Sequence, residues 1–176
     1  MSASPVPGGT LEGGPMKKVL VPIDLSPISE EALRHAVECA CAQTKELILL
    51  HVVDPLDVAN LGLVGLEDYE ERLRDELMED ARRHLEELAR RYAREGLTFK
   101  TLVVFDRPWR GIINTAIEEE VDLIVMGSHG RGRVAELLLG SVAERVVREA
   151  PVPVTVIRPR ELRDRLKRHW RHLGRC

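Results

Sequence analysis

At 176 residues, with 44% apolar and 31% charged content and a formal net charge of −3, the chain has the make-up of one soluble globular domain with tails and is too short for two comfortable ones. Its hydropathy excludes a membrane-spanning helix, since no segment approaches the run of about 18 apolar residues that crosses a bilayer. The amino terminus lacks the basic start and apolar stretch of a secretory leader, so a cytoplasmic location is expected.

Residues 1–15 are rich in Pro, Gly and Ser without periodicity and read as a disordered leader. Val19 to Ile23, V-L-V-P-I, is a short β-branched apolar run of the kind buried on both faces of a parallel sheet, and it ends at Asp24. Ser26 and Pro27 supply an N-cap and a first-turn proline, which predicts a helix over about 27–43 with Ile28, Ala32, Ala36 and Cys39 on its buried face. Glu46 to Val53 is the most apolar segment and reads as a central strand. A loop with Gly62 and Gly65 follows.

From about Asp68 to Glu95 apolar residues recur every three or four positions, from Tyr69 through Leu73, Leu77, Ala81, Leu85 and Leu88 to Tyr92. This predicts a long amphipathic helix with Gly96 as its C-cap. Thr98 to Phe105 is the third strand, and Pro108 opens a helix whose stripe is Ile112, Ile113, Ala116 and Ile117. V-D-L-I-V-M forms a fourth strand running into Gly127, Ser141 to Glu149 a helix, and Pro153 to Ile157 a fifth strand. Strands alternate with helices and no hairpin signal appears, which means a five-stranded parallel open sheet with helices on both faces.

Aromatic residues supply only 3%, so the core is aliphatic. Cys39, Cys41 and Cys176 stand in no metal-ligand spacing and read as reduced, partly buried thiols. Residues 158–176 carry eight Lys or Arg against two acids, a tail of +6 that leaves −9 for the rest of the −3 total. Within that tail Leu162, Leu166, Trp170 and Leu173 recur at helical spacing, so 159–176 reads as a basic amphipathic extension, expected first to dock on the acidic body, with a partner subunit or anionic lipid as the alternatives.

Between Val125 and Val142 lie Gly127, Gly130 and Gly140, the last followed by Ser141. Glycines after an apolar strand let a ligand approach the main chain, and the free N–H groups at a helix start attract an anion, so a phosphate is the expected ligand. In open parallel sheets ligands sit beyond the carboxyl ends of the strands where the strand order reverses. For an order of 3-2-1-4-5 that crevice lies between Pro22, Ile23 and Asp24 on one side and Met126 and Gly127 on the other.

G-x-x-G, nine residues, then G-S, together with M-G-S-H-G-R, L-G-S-V, an acid closing the first strand and L-L-H-V-V in the second, resembles the ATP-binding branch of the universal stress protein family over about Lys17 to Arg158. The resemblance implies a Rossmann-like fold of the adenine nucleotide alpha hydrolase type. It also implies that Pro22, Asp24 and Val52 line the adenine and ribose side, while Gly127, Gly130, Gly140, Ser141 and Val142 cradle ribose and phosphates. His129, Arg131 and Arg133 would stand in the intervening loop, and Mg2+ or Mn2+ would be held mainly by the phosphates. Family members commonly dimerise through the last strand, which here offers Val154 and Val156, with the carboxyl-terminal extension as a further contact. Where relatives often carry a glycine after the third strand, this chain has Phe105-Asp106-Arg107-Pro108-Trp109.

The function implied is an ATP-binding regulator or sensor of stress; a slow ATPase acting with a partner is the alternative. No G-x-x-x-x-G-K-[ST] lysine and no base at the phosphate end stand in the sequence, which favours holding a nucleotide over cutting it. Nucleic acid is not expected, because no recognition motif accompanies the basic tail.

Overall fold

A computed structural model of the chain describes residues 17–40, 44, 46–61, 67–129 and 139–173. The elements are β1 (Lys18–Pro22), α1 (Pro27–Cys39), β2 (Glu46–Val53), α2 (Pro55–Leu61), α3 (Glu67–Tyr92), β3 (Thr98–Phe105), α4 (Pro108–Glu118), β4 (Leu123–Gly127), α5 (Ser141–Glu149), β5 (Val154–Ile157) and α6 (Arg160–Leu173). The strands form one sheet in the order β3-β2-β1-β4-β5, every pair parallel. That is the order the crevice argument required, and it puts the reversal between β1 and β4.

Alternation along the strands divides the core in two. Val19 and Val21 of β1 join Leu47, Leu49 and Val125 beneath α1 and α3, which contribute Ala32, Leu33, Leu85 and Leu88. Leu20 joins Ile48, Leu50, Ile124 and Met126 beneath α4 and α5, which contribute Ile112, Ala116, Ala143 and Val146. Both faces of the sheet are therefore covered, which is why its strands read as continuous apolar runs. The start of β1 is tied to the segment before β4 through the Asp122 carboxylate, which accepts the backbone N–H groups of Lys17 and Lys18 at 2.8 and 2.9 Å.

Several local expectations change. A short helix, α2, stands in the expected loop: Asp54 accepts the Leu56 N–H at 2.9 Å through its side chain, and Pro55 fills the first helical position. Helix α1 ends at Cys39, with Ala40 as its C-cap, rather than at 43, and the Cys39 thiol is exposed, its Sγ 3.5 Å from His35 Nε2. Helix α3 ends at Tyr92, so Gly96 does not cap it. With φ at 78°, Gly96 is instead the third residue of a turn closed by the Leu97 N–H and the Arg94 carbonyl at 3.3 Å, a position that favours glycine. Ile117 is 56% exposed, because Ile112 and Ala116 take the sheet-facing side of α4. Cys41, Cys176, Gly62, Gly65 and the leader lie outside the described residues.

The two edges of the sheet differ. β3 is eight residues long with Lys100 at its third position, whose ammonium lies 2.6 Å from Glu119. β5 is four residues, V-T-V-I, without a charge. Directly after β5, α6 turns back on the body: Leu162 is buried, and the Arg163 guanidinium donates to Glu31 of α1 at 2.7 Å.

Candidate functional site

The carboxyl ends of β1, β2 and β4 and the amino end of α5 enclose a cleft of about 510 Å³. Ten of the residues expected there line it: Pro22, Ile23 and Asp24 after β1, Val52 on β2, Met126, Gly127 and His129 at the end of β4, and Gly140, Ser141 and Val142 at the start of α5. Gly130 and Arg131, like Arg133, lie outside the described residues. The floor and flanks are apolar, with Leu50, Val52 and Ile112 beside Met126.

One end of the cleft is built to meet negative charge. Gly140 is the N-cap of α5 and offers no side chain to the helix start, so the N–H groups of Ser141, Val142 and Ala143 have no partner within the helix. All three residues line the cleft, at the positive pole of the helix dipole. The Gly140 N–H donates to the Ser128 carbonyl at 2.8 Å, and the Ser128 N–H to the Ile157 carbonyl at 2.8 Å. These two bonds pin both ends of the glycine segment to β4 and β5.

The opposite wall is shaped by Asp24. Its Oδ1 accepts the Ser26 N–H at 3.1 Å and the Ser26 hydroxyl, while Ser26 caps α1. Between them Leu25 takes φ 65°, a conformation that costs an ordinary side chain on the order of 1 kcal/mol and persists because the Asp24 turn holds it. Asp24 thus holds the turn into α1 and rims the cleft as well.

Residues that sequence reasoning missed enter by way of the topology. His51 of β2 donates Nδ1–H to the Ile23 carbonyl at 2.7 Å, a bond whose direction is fixed because a carbonyl only accepts. It ties β2 to the end of β1 across the cleft. Ser29, from the first turn of α1, and Asp54 and Asp57, at the start of α2, also line it, as do Pro108 and Ala143. The Asp54-Pro55 pair was the available signal for α2, repeating the cap-then-proline pattern of Ser26-Pro27.

Gly127 has a different reason for being glycine from the one its sequence suggests. A Cβ there would lie 3.2 Å from both Cγ1 and Cγ2 of Ile28 and 3.4 Å from the His129 carbonyl oxygen. The bare main chain admits helix α1, whose next residue, Ser29, lines the cleft. At the rim after β3, Asp106 is salt-bridged to Arg110 at 2.6 Å, and the hydrogen bond from Arg110 is the main reason its carboxyl lies below its ordinary value. Trp109 stacks under Arg145 of α5 at 3.6 Å, joining the helices that carry the two sides of this rim. Among the described residues no group of three or more His, Cys, Asp or Glu is arranged to hold a metal ion, and no helix is long and apolar enough to cross a membrane.

A doubly wound parallel α/β protein with a cleft at its switch point, apolar on one side and lined on the other by a helix start whose first N–H groups have no partner within the helix, defines the class. The sequence model of the Universal stress protein family matches residues 15–158, and the chain belongs to that family. It is 35% identical over 153 residues to universal stress protein MJ0577 of Methanocaldococcus jannaschii, covering 81% of this chain and 94% of the relative. It is 34% identical over 145 residues to universal stress protein YxiE of Bacillus subtilis, covering 80% and 98%. The solved structure of MJ0577 superposes with a TM-score of 0.74 over 84% of this chain and 99% of the other, at 34% identity. The fold alone is shared, at 23% identity and a TM-score of 0.55, with an Archaeoglobus fulgidus universal stress protein in complex with dAMP, covering 81% and 97%. It is likewise shared, at 22% and 0.56, with a universal stress protein in complex with cAMP, covering 82% and 98%.

Proposed function

We propose that the cleft binds an adenine nucleotide, ATP or its AMP and ADP relatives, and that the protein is a cytoplasmic nucleotide-dependent regulator in a stress response. The observation that carries the reading is the pairing of an apolar floor with three helix N–H groups that have no partner within the helix, in a single cleft of about 510 Å³. That volume lies in the range of small-molecule sites, and the two kinds of wall match a flat base and a charged phosphate. Complexes of fold relatives with dAMP and cAMP support adenine as the base. In this reading Pro22, Asp24 and Val52 face base and ribose. Gly127, Gly130, Gly140, Ser141 and Val142, with His129 and Arg131, face the phosphates. A divalent cation accompanying a triphosphate is carried by the phosphates and water.

Binding is favoured over turnover because rapid phosphoryl transfer needs a positioned nucleophile and concentrated positive charge on the transferred group. A second copy of the chain is the expected partner, joined through the uncharged edge β5, where Val154 and Val156 are half-buried. Mass spectrometry of nucleotide released from the purified full chain, followed by calorimetry of the stripped protein with ATP, AMP and adenosine, tests the reading. Release and rebinding of an adenine nucleotide are expected. A chain that purifies without nucleotide and binds none refutes the assignment. Phosphate release on the order of one per second, abolished in Ser141→Ala, overturns the preference for binding over catalysis.

A further inference from the structure

We propose that Ser128 is a positioning residue that holds the His129 imidazole with its proton on Nε2, so that this N–H is offered to the phosphate of the bound nucleotide. The proposal deepens the adenine-nucleotide reading and rests on it.

Ser128 is wholly buried and is absent from the cleft wall. Both of its backbone groups are engaged, the N–H with the Ile157 carbonyl and the carbonyl with the Gly140 N–H, each at 2.8 Å. Its Cα is therefore fixed to β5 and to the start of α5 at once. From this fixed point the hydroxyl stands 2.9 Å from His129 Nδ1. His129 lines the cleft beside the residues that open α5, while its Nε2, shielded from water, has no hydrogen-bond partner among the described residues. Few buried polar atoms in native proteins stay unpartnered, and a site that awaits a ligand is one reason for an exception.

The direction of the Ser128–His129 bond decides what that atom can do. A neutral imidazole carries one proton. If Nδ1–H donated to the hydroxyl, Nε2 would be a bare acceptor and would repel a phosphate oxygen, which also accepts. If the hydroxyl donates to Nδ1, Nε2–H is a donor at the end of the cleft where the α5 dipole gathers negative charge. The second arrangement is the one an anion selects. A merely structural serine would steady the segment without favouring either tautomer.

Two measurements on the full chain test this. Long-range nitrogen–proton spectra of histidine-labelled protein distinguish the tautomers, and the His129→Gln variant identifies the relevant signals among the six histidines. The Nε2–H form is expected in the wild type and in Ser128→Thr, which keeps a hydroxyl, and a mixture in Ser128→Ala. By calorimetry Ser128→Ala should weaken AMP by the inverse of the Nε2–H fraction that remains, about twofold for an even mixture, and leave adenosine unchanged. Ser128→Thr should restore AMP. If Ser128→Ala fails to fold, Ser128→Cys, of similar volume and with a weak donor, takes its place. An unchanged tautomer, or equal losses for AMP and adenosine, overturns the proposal. A wild-type chain that binds neither ligand overturns the nucleotide reading instead, and the tautomer still decides whether Ser128 orients the ring.

Discussion

Gly127 offers the sharpest test of how the site is assembled. In Gly127→Ala the new methyl lies 3.2 Å from Cγ1 and Cγ2 of Ile28, closer than packed carbons prefer. Its φ is not in the left-handed region, so the backbone itself accepts alanine. Overpacking of this kind costs about 1–3 kcal/mol, against which the reduced freedom of the unfolded chain returns about 0.4–1 kcal/mol, for a net loss centred at about 1 kcal/mol. Ile28→Ala removes both contacting carbons. Alone it costs about 2–4 kcal/mol, but in that background the added methyl keeps only its ordinary contact with the His129 carbonyl oxygen and is neutral or stabilising by about 0.5 kcal/mol. Urea unfolding of the four proteins gives the coupling, expected at about 1–2 kcal/mol. Because Ser29 follows Ile28 into the cleft, AMP affinity in Gly127→Ala should fall and then recover in part in the double variant. Equal costs of the methyl in both backgrounds, or lost affinity with no change in stability, would falsify the packing account and restore a ligand as the reason for this glycine.

Three further outcomes are expected. Asp24→Ala should lose both nucleotide affinity and about 1–2 kcal/mol of stability, because Ser26 loses its acceptor, whereas Asp24→Asn keeps an acceptor oxygen and should lose affinity alone; unfolding and calorimetry on the same samples separate the two. The Asp106 carboxyl binds its proton less readily folded than unfolded, chiefly through its bond from Arg110, so this pair's stabilisation is present above the unfolded carboxylate's pKa and is lost as pH falls through the lower folded value. Nuclear magnetic resonance titration should find that value restored towards the ordinary range in Arg110→Ala. Leu162→Ala should destabilise α6 docking by about 2 kcal/mol and Arg163→Ala by at most about 1 kcal/mol, since one removes buried surface and the other a half-exposed ion pair; a larger loss for Arg163→Ala in urea unfolding would reverse the order.

The parts of this fold that were legible in sequence are those governed by periodicity. The Ala81, Leu85 and Leu88 stripe of α3 is buried because the 3.6-residue repeat leaves no other face for the sheet. The strands announced themselves because a sheet covered on both faces must be apolar at successive positions, as Leu47 to Leu50 are. What escaped was set by short range or by long range. Helix α2 is seven residues, too short for a periodic signal, and only Asp54-Pro55 marked it. His51, Ser29 and Ile112 reach the cleft because three separated segments converge there, and nothing local to any of them says so. Ile28 gave Gly127 its purpose across 99 positions of chain, a contact that composition at either end does not encode.

The unequal edges of the sheet bear on how large an assembly can grow. A sheet with two bare edges has no natural stopping point, since each added strand exposes another, and repetition leads to fibres. Here Lys100 stands within the β3 edge, and drying its ammonium against a second backbone carries an electrostatic penalty that V-T-V-I on β5 escapes. In the proposed pairing through β5, the charge on the β3 edge disfavours a further strand addition. Lys100→Val is the substitution that would lift this bar to growth beyond the proposed pair.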